Sequence, residues 1–277
     1  HDGDLAWRGD IDGDNFFSFF KGKLDKGEEP FYCDEDWAMV LGAIDFIRDY
    51  EGEQPLCVYL PLGYPHPPYC VEEPWFSVTD RNKIPDRVRP PEDWSGKPSI
   101  LKGIFENQHM QGWNEERWTE LRATYYGMCA RSDHQFGLVK EALCDAGMYD
   151  DSAVFFFSDH GDYTGDFGIV EKTQNTMEDC LTRVPFIVKP PKQVPTEPRV
   201  SDAMIELVDF SATVYALVDI DPGYDSFGKS LLPVISGETE EHRDAVFCEG
   251  GRRYGEVQAM EHESASAKDG QDSTGLY

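Results

Sequence analysis

A chain of 277 residues with 53 acidic against 25 basic side chains has a formal net charge of −28, which opposes nucleic acid and anionic membrane surfaces as partners. Apolar residues make up 40% and aromatics 13%, enough for a core and too much for a disordered chain. No apolar run reaches the roughly 18 residues that a membrane span needs, and an anionic substrate would require a local pocket that overcomes the global field.

The chain starts at His1 with no charged-then-apolar leader, and its last stretch, 261–277, is polar. We expect an internal piece of a longer protein, with residues 1–250 forming one domain and 251–277 a polar tail. Residues 35–50 carry Trp37, Leu41, Ile44 and Ile47 at helical spacing. The run Leu56-Cys57-Val58-Tyr59-Leu60, stopped by Pro61, predicts a buried strand. Residues 61–114 are rich in Pro, Gly, Trp and charge without a clear period and are expected to form a long surface excursion. Trp75, Trp94 and Trp113 would then either rim a pocket or pack the loop itself.

From Glu115 the spacing of Trp118, Leu121, Tyr125, Met128, Val139 and Leu143 predicts a helix that Gly147 terminates. Ala153 to Phe157 and Val184 to Val188 read as buried strands, and Ala245 to Cys248 as a fourth. Leu207, Phe210, Val214 and Leu217 mark a further helix. Helices alternating with continuous apolar strands predict an α/β fold: a largely parallel sheet covered by helices on both faces, with the strands near 56–60, 153–158 and 184–188 in one sheet. Phosphate loops of the G-x-x-x-x-G-K-[ST] and G-x-G-x-x-G types are absent. The seven cysteines are odd in number and show no C-x-x-C pair, which favours reduced thiols and a cytoplasmic setting. Cys57 and Cys248, in apolar runs, are expected to pack as small hydrophobes.

Two segments carry chemistry. Ser158-Asp159-His160-Gly161 follows a strand, at the sheet edge where α/β proteins bind ligands. Asp159 and His160 can both reach one divalent cation there, and Lys172 could hold an anionic group nearby. Pro65-His66-Pro67-Pro68-Tyr69 holds His66 in a restrained loop, suited to proton transfer to a leaving group. The repeat Ser132-Asp133-His134 lies inside a helical pattern and is read as structural.

The order His66 loop, Ser-Asp-His-Gly, Gly165 with Gly168, Lys172, and Arg183-Val184-Pro185, then Val208-Asp209 and Gly228-Lys229-Ser230-Leu231-Leu232-Pro233 with Gly237, resembles the type I sulfatases of the alkaline phosphatase superfamily. The resemblance covers residues 40–250. It implies that Asp159 and His160 are metal ligands and that Lys172 and His66 contact the sulfate and leaving-group oxygens, with Glu178 and Arg183 structural. It also implies one divalent metal, Ca2+ first, with Mn2+ or Zn2+ as alternatives. The family's C/S-x-P-x-R motif, which yields the formylglycine nucleophile, is absent, as is the upstream Asp pair. Both are expected before His1, where His1-Asp2 could be the remnant of a G-K-x-[HD] segment.

A small-molecule or carbohydrate sulfate ester is the implied substrate. The metal and Lys172 would neutralise the non-bridging oxygens, and a protonated His66 would supply the leaving-group proton. A phosphodiesterase or phosphonate monoester hydrolase, and an inactive fragment or binding module, are the alternatives. His66, Asp159, His160 and Lys172 are expected to converge.

Overall fold

The computed structural model describes residues 6–29, 31–173 and 176–250, so the expected tail at 251–277 and the His1-Asp2 remnant lie outside the described residues. The chain is α/β and divides into two compact units. Among the described residues, those up to Ala142 and Asp162–Leu181 make the first; Leu143–Gly161 and Thr182–Glu249 make the second.

In the first unit, β1 (Phe20–Lys23) is followed by α1 (Glu35–Arg48). The Asp34 carboxylate caps α1 by accepting the Trp37 N–H at 3.0 Å, and Glu35 and Asp36 in the first turn with Arg48 in the last suit the helix dipole. Trp37, Val40, Ile44 and Ile47 are buried, whereas Leu41 faces outward. The next strand, β2 (Tyr69–Val71), is fully buried and runs parallel to β1. One-turn α2 (Trp75–Val78), α3 (Ser99–Asn107), α4 (Glu115–Asp145) and short α5 (Asp179–Thr182) complete the set. Gly147, with φ 69°, follows α4 as its sequence predicts.

The main core joins Phe19, Tyr69, Val71, Met110, Trp113, Trp118, Leu121, Met128 and Val170. A second cluster gathers Leu101, Ile104, Tyr163, Ile169 and Leu181. The stretch 61–114 is therefore not a surface excursion, since it supplies β2, α3 and Trp113 to these cores. The tryptophans pack: Trp113 is buried against Trp118, and Trp94 lies 5.2 Å from the Phe105 ring. The strand expected at 56–60 does not form. Those residues have no ladder partner among the described residues, and Cys57, Val58 and Tyr59 are exposed. An apolar run becomes a strand only where another strand satisfies its backbone.

Helix α4 crosses close to the turn at Trp75. A Cβ on Gly127 would lie 2.5 Å from the Trp75 carbonyl oxygen and 3.2 Å from Val71. Because the obstacle is backbone, Gly127→Ala should destabilise the protein by about 1–3 kcal/mol. A thermal melt unchanged from wild type would contradict that packing.

In the second unit, β3 (Val154–Phe157) pairs antiparallel with β4 (Phe186–Lys189), Val154 opposite Lys189 and Phe157 opposite Phe186. The expected common parallel sheet with 56–60 is not present among the described residues. The two strands instead satisfy each other, an arrangement that continuous apolar runs permit as readily as a parallel one. Phe210, on α6 (Val208–Leu217), stacks edge-on against Phe155 at 5.0 Å and lies 4.9 Å from Phe157. The fully buried residues of α6 are polar, Asp209 and Thr213. Asp209 accepts from the Lys229 N–H at 2.7 Å, the Glu206 N–H at 2.9 Å, the Arg243 guanidinium and His242 Nε2 at 3.1 Å. Thr213 Oγ1 accepts the Leu231 N–H, holding the segment that enters α7 (Leu232–Ile235). Residues 245–248 form no strand, and Cys248 and Phe247 are exposed. Neither Cys57 nor Cys248 packs as expected; the buried thiol is Cys70, on β2.

Candidate active site

The His66 loop is held from beneath. Asp36, in the first turn of α1, accepts the Gly63 N–H at 2.7 Å with one carboxylate oxygen and the Tyr64 N–H at 2.9 Å with the other. The buried Arg131 guanidinium lies 4.0 Å over the Tyr64 ring and pairs with Asp34 and, at 3.4 Å, with Glu72. The Tyr64 hydroxyl donates to the Cys70 carbonyl at 2.9 Å. Strand β2, through Cys70, and helix α1 thus both fix the stretch that ends at His66.

His66 and Lys172, more than a hundred positions apart in sequence, meet as the sequence predicts, with Lys172 Nζ 2.7 Å from His66 Nε2. His66 Nδ1 lies 2.8 Å from the Pro67 carbonyl oxygen. A carbonyl only accepts, so Nδ1 carries a ring proton and Nε2 is the nitrogen turned to Lys172.

Glu171, which the sequence reading did not single out, completes the cluster. Its Oε1 accepts from Lys172 Nζ at 2.6 Å and lies 3.8 Å from His66 Nε2. The Glu171 side chain is 6% exposed, against 25% for Lys172. Glu171 has φ 64°, a left-handed backbone that costs a non-glycine residue about 1–3 kcal/mol. Its N–H donates to the Tyr69 hydroxyl at 2.8 Å, and that hydroxyl donates to Asp162 Oδ1 at 2.7 Å. Asp162 also accepts the Thr164 N–H and hydroxyl. Burial pushes the Asp162 carboxyl up, partly offset by these donors. Burial, with the adjacent Asp162 charge, pushes the Tyr69 hydroxyl well above its usual range.

The Gly165 and Gly168 turn closes the unit behind this strut. Both residues have positive φ, and a Cβ would lie 2.9 Å from Trp118 at the first and from Phe105 at the second. Glu178, expected to be structural, pairs with Lys97 at 3.0 Å.

Asp159 and His160 belong to the second unit, directly after β3. His160 Nδ1 lies 2.8 Å from the Gly161 carbonyl oxygen, which turns Nε2 the other way, 3.8 Å from Asp159 Oδ2. An imidazole nitrogen beside an exposed carboxylate offers two donor types that a divalent cation takes. Among the described residues no three His, Cys, Asp or Glu side chains cluster so as to hold a metal. In the other Asp-His pair the His134 ring packs 4.9 Å from Trp75, and Asp133 is exposed on α4.

Residues 4–220 match the Sulfatase family profile, and the chain belongs to the sulfatase family. It is 29% identical over 224 residues to arylsulfatase K of Danio rerio, covering 73% of this chain and 40% of that protein. An arylsulfatase of Clostridium perfringens is 26% identical over 229 residues, covering 79% of this chain and 45% of that protein. The phosphonate monoester hydrolase SpPMH of Silicibacter pomeroyi shares the fold, with a TM-score of 0.65 at 22% identity over 88% of this chain and 50% of that one. The chain thus spans less than half the length of these two arylsulfatases.

Proposed function

We propose that the protein hydrolyses a sulfate monoester of a small molecule or carbohydrate, and that Lys172 and His66 contact the ester. The observation that carries the reading is the Lys172 Nζ to His66 Nε2 hydrogen bond of 2.7 Å, with His66 Nδ1 tied to the Pro67 carbonyl. An ammonium and an imidazole so joined meet two needs of ester cleavage. Lys172 faces the non-bridging oxygens, where charge must be neutralised. A proton on Nζ can pass to Nε2 and from there to the departing oxygen. Glu171 pairs with Lys172 at 2.6 Å, and the prolines beside His66 restrain the backbone that carries its ring.

Asp159 and His160 are the residues that would hold a divalent cation, Ca2+ first and Mn2+ or Zn2+ next, which when bound neutralises the oxygens of the ester. Formylglycine is the nucleophile this reading requires. None of the seven cysteines stands in a C-x-P-x-R motif, so none is given that role.

Phosphonate monoester or phosphodiester hydrolysis is the second reading, favoured by the nitrogen donor of His160, which suits Mn2+ or Zn2+ better than Ca2+. The full-length protein, assayed on p-nitrophenyl sulfate and p-nitrophenyl phenylphosphonate with each cation in turn, separates the two. Faster turnover of the sulfate supports the first reading, faster turnover of the phosphonate replaces it with the second, and turnover of neither leaves a binding module.

A further inference from the structure

We propose that Glu171 sets the charge class of the substrate, tuning the Lys172 site toward esters with one negative charge and against those with two. This rests on the reading that Lys172 contacts the ester anion. Three groups meet here: Lys172, Glu171, whose Oε1 accepts from Lys172 Nζ at 2.6 Å, and His66, whose Nε2 lies 2.7 Å from the same Nζ. The Glu171 carboxylate offsets the Lys172 charge before any ligand arrives, and a lysine without this partner would present that charge in full.

The carboxylate is not a chance surface neighbour. Its side chain is nearly fully buried while His66 is 48% exposed, so it lies behind the pair on the side away from solvent. Its backbone is held in the left-handed region by the Tyr69 hydroxyl, which is itself anchored on Asp162. Asp162 adds a second buried carboxyl on the same side. A strained backbone braced by a buried tyrosine is an arrangement maintained for what it positions.

A sulfate monoester carries one negative charge, whereas a phosphate monoester carries nearly two above its second ionisation near pH 6. The additional charge of the phosphate is repelled by Glu171 across a few ångströms of partly dry protein, which at an effective dielectric near 20 and with solvent screening amounts to about tenfold in affinity.

The test is calorimetric titration of the full-length protein at pH 8 with phenyl sulfate and phenyl phosphate as probes. Glu171→Gln removes the charge and keeps the shape. Glu171→Gly removes the charge and suits the positive φ, so it folds even if the glutamine strains the turn. Both should move the preference between the probes toward phenyl phosphate by about tenfold, and Glu171→Asp, which keeps the charge, should retain the wild-type preference. A role in folding alone would weaken both probes together and leave their ratio unchanged. A ratio shifted by less than about twofold in both uncharged variants, while Lys172→Ala still weakens both probes, overturns the inference and leaves the Lys172 reading standing. If Lys172→Ala weakens neither probe, the reading itself fails and the inference goes with it.

Discussion

Replacing Lys172 by alanine in the full-length protein should lower kcat/KM for an aryl sulfate by about 10²–10³-fold, the usual loss when one charged donor to a developing oxyanion is removed. In the proposed reading the effect is large because Lys172 would serve twice, as the cation facing the ester and as the neighbour of His66 Nε2 at 2.7 Å. Arginine at this position should restore little, since its planar fork cannot keep a single short bond to Nε2 and another to Glu171 Oε1 at 2.6 Å. Retention of more than about a tenth of wild-type turnover would reduce Lys172 to a surface cation. The 277-residue chain alone should bind Ca2+ weakly and turn over no aryl sulfate. It offers Asp159 and His160 as ligands where Ca2+ takes six to eight oxygens, about 6–8, and it lacks a C/S-x-P-x-R segment.

The second large effect concerns stability. Asp209→Ala should cost about 3–5 kcal/mol, because it breaks a buried charged network: Arg243 is left to Glu206 and the Phe227 carbonyl, and the Glu206 and Lys229 N–H groups lose their acceptor. Asp209 is fully buried and receives Arg243, His242 and two backbone N–H groups. Burial alone would raise its pKa, but the Arg243 guanidinium and the N–H groups of Glu206 and Lys229 more than offset this and hold the carboxyl below its usual range. A depressed folded-state pKa gives stability that is present above the unfolded value, near 3.9, and lost as pH falls through the folded one. Thermal melts from pH 7 downward should therefore show wild type losing stability below about pH 4, with Asp209→Asn less stable at pH 7 and flatter with pH. Parallel curves for the two proteins would remove Asp209 from this role.

Helices were the legible part of the fold. The stripes of Trp37, Ile44 and Ile47 and of Trp118, Leu121 and Met128 face the core because a helix needs no partner to satisfy its own backbone. Strands were less legible for the converse reason. Residues 56–60 are as apolar as Val154–Phe157, yet only the latter have a ladder to join. The α6 stripe led to Phe210 but not to Asp209 and Thr213, whose burial depends on donors from Lys229, Leu231 and Arg243 far along the chain.

The pairing of His66 with Lys172 was legible through motif order and chemistry. Glu171 gave no signal at all. An acid beside a lysine in a polar stretch reads as solvated charge, and nothing in a glutamate announces a positive φ or a tyrosine from β2 beneath it. A search for acids adjacent to the Lys172 position would have raised it as a candidate.

The grip of Asp36 on Gly63 and Tyr64 has a mechanical meaning. Two amides of a proline-rich loop are fastened by one carboxylate to the opening turn of a fourteen-residue helix whose apolar face is buried in the core. The histidine loop should therefore be stiffer than the nanosecond wandering usual for exposed loops. His66 can stay half open to solvent and still hold one orientation, because its loop is tied to a packed helix far earlier in the chain.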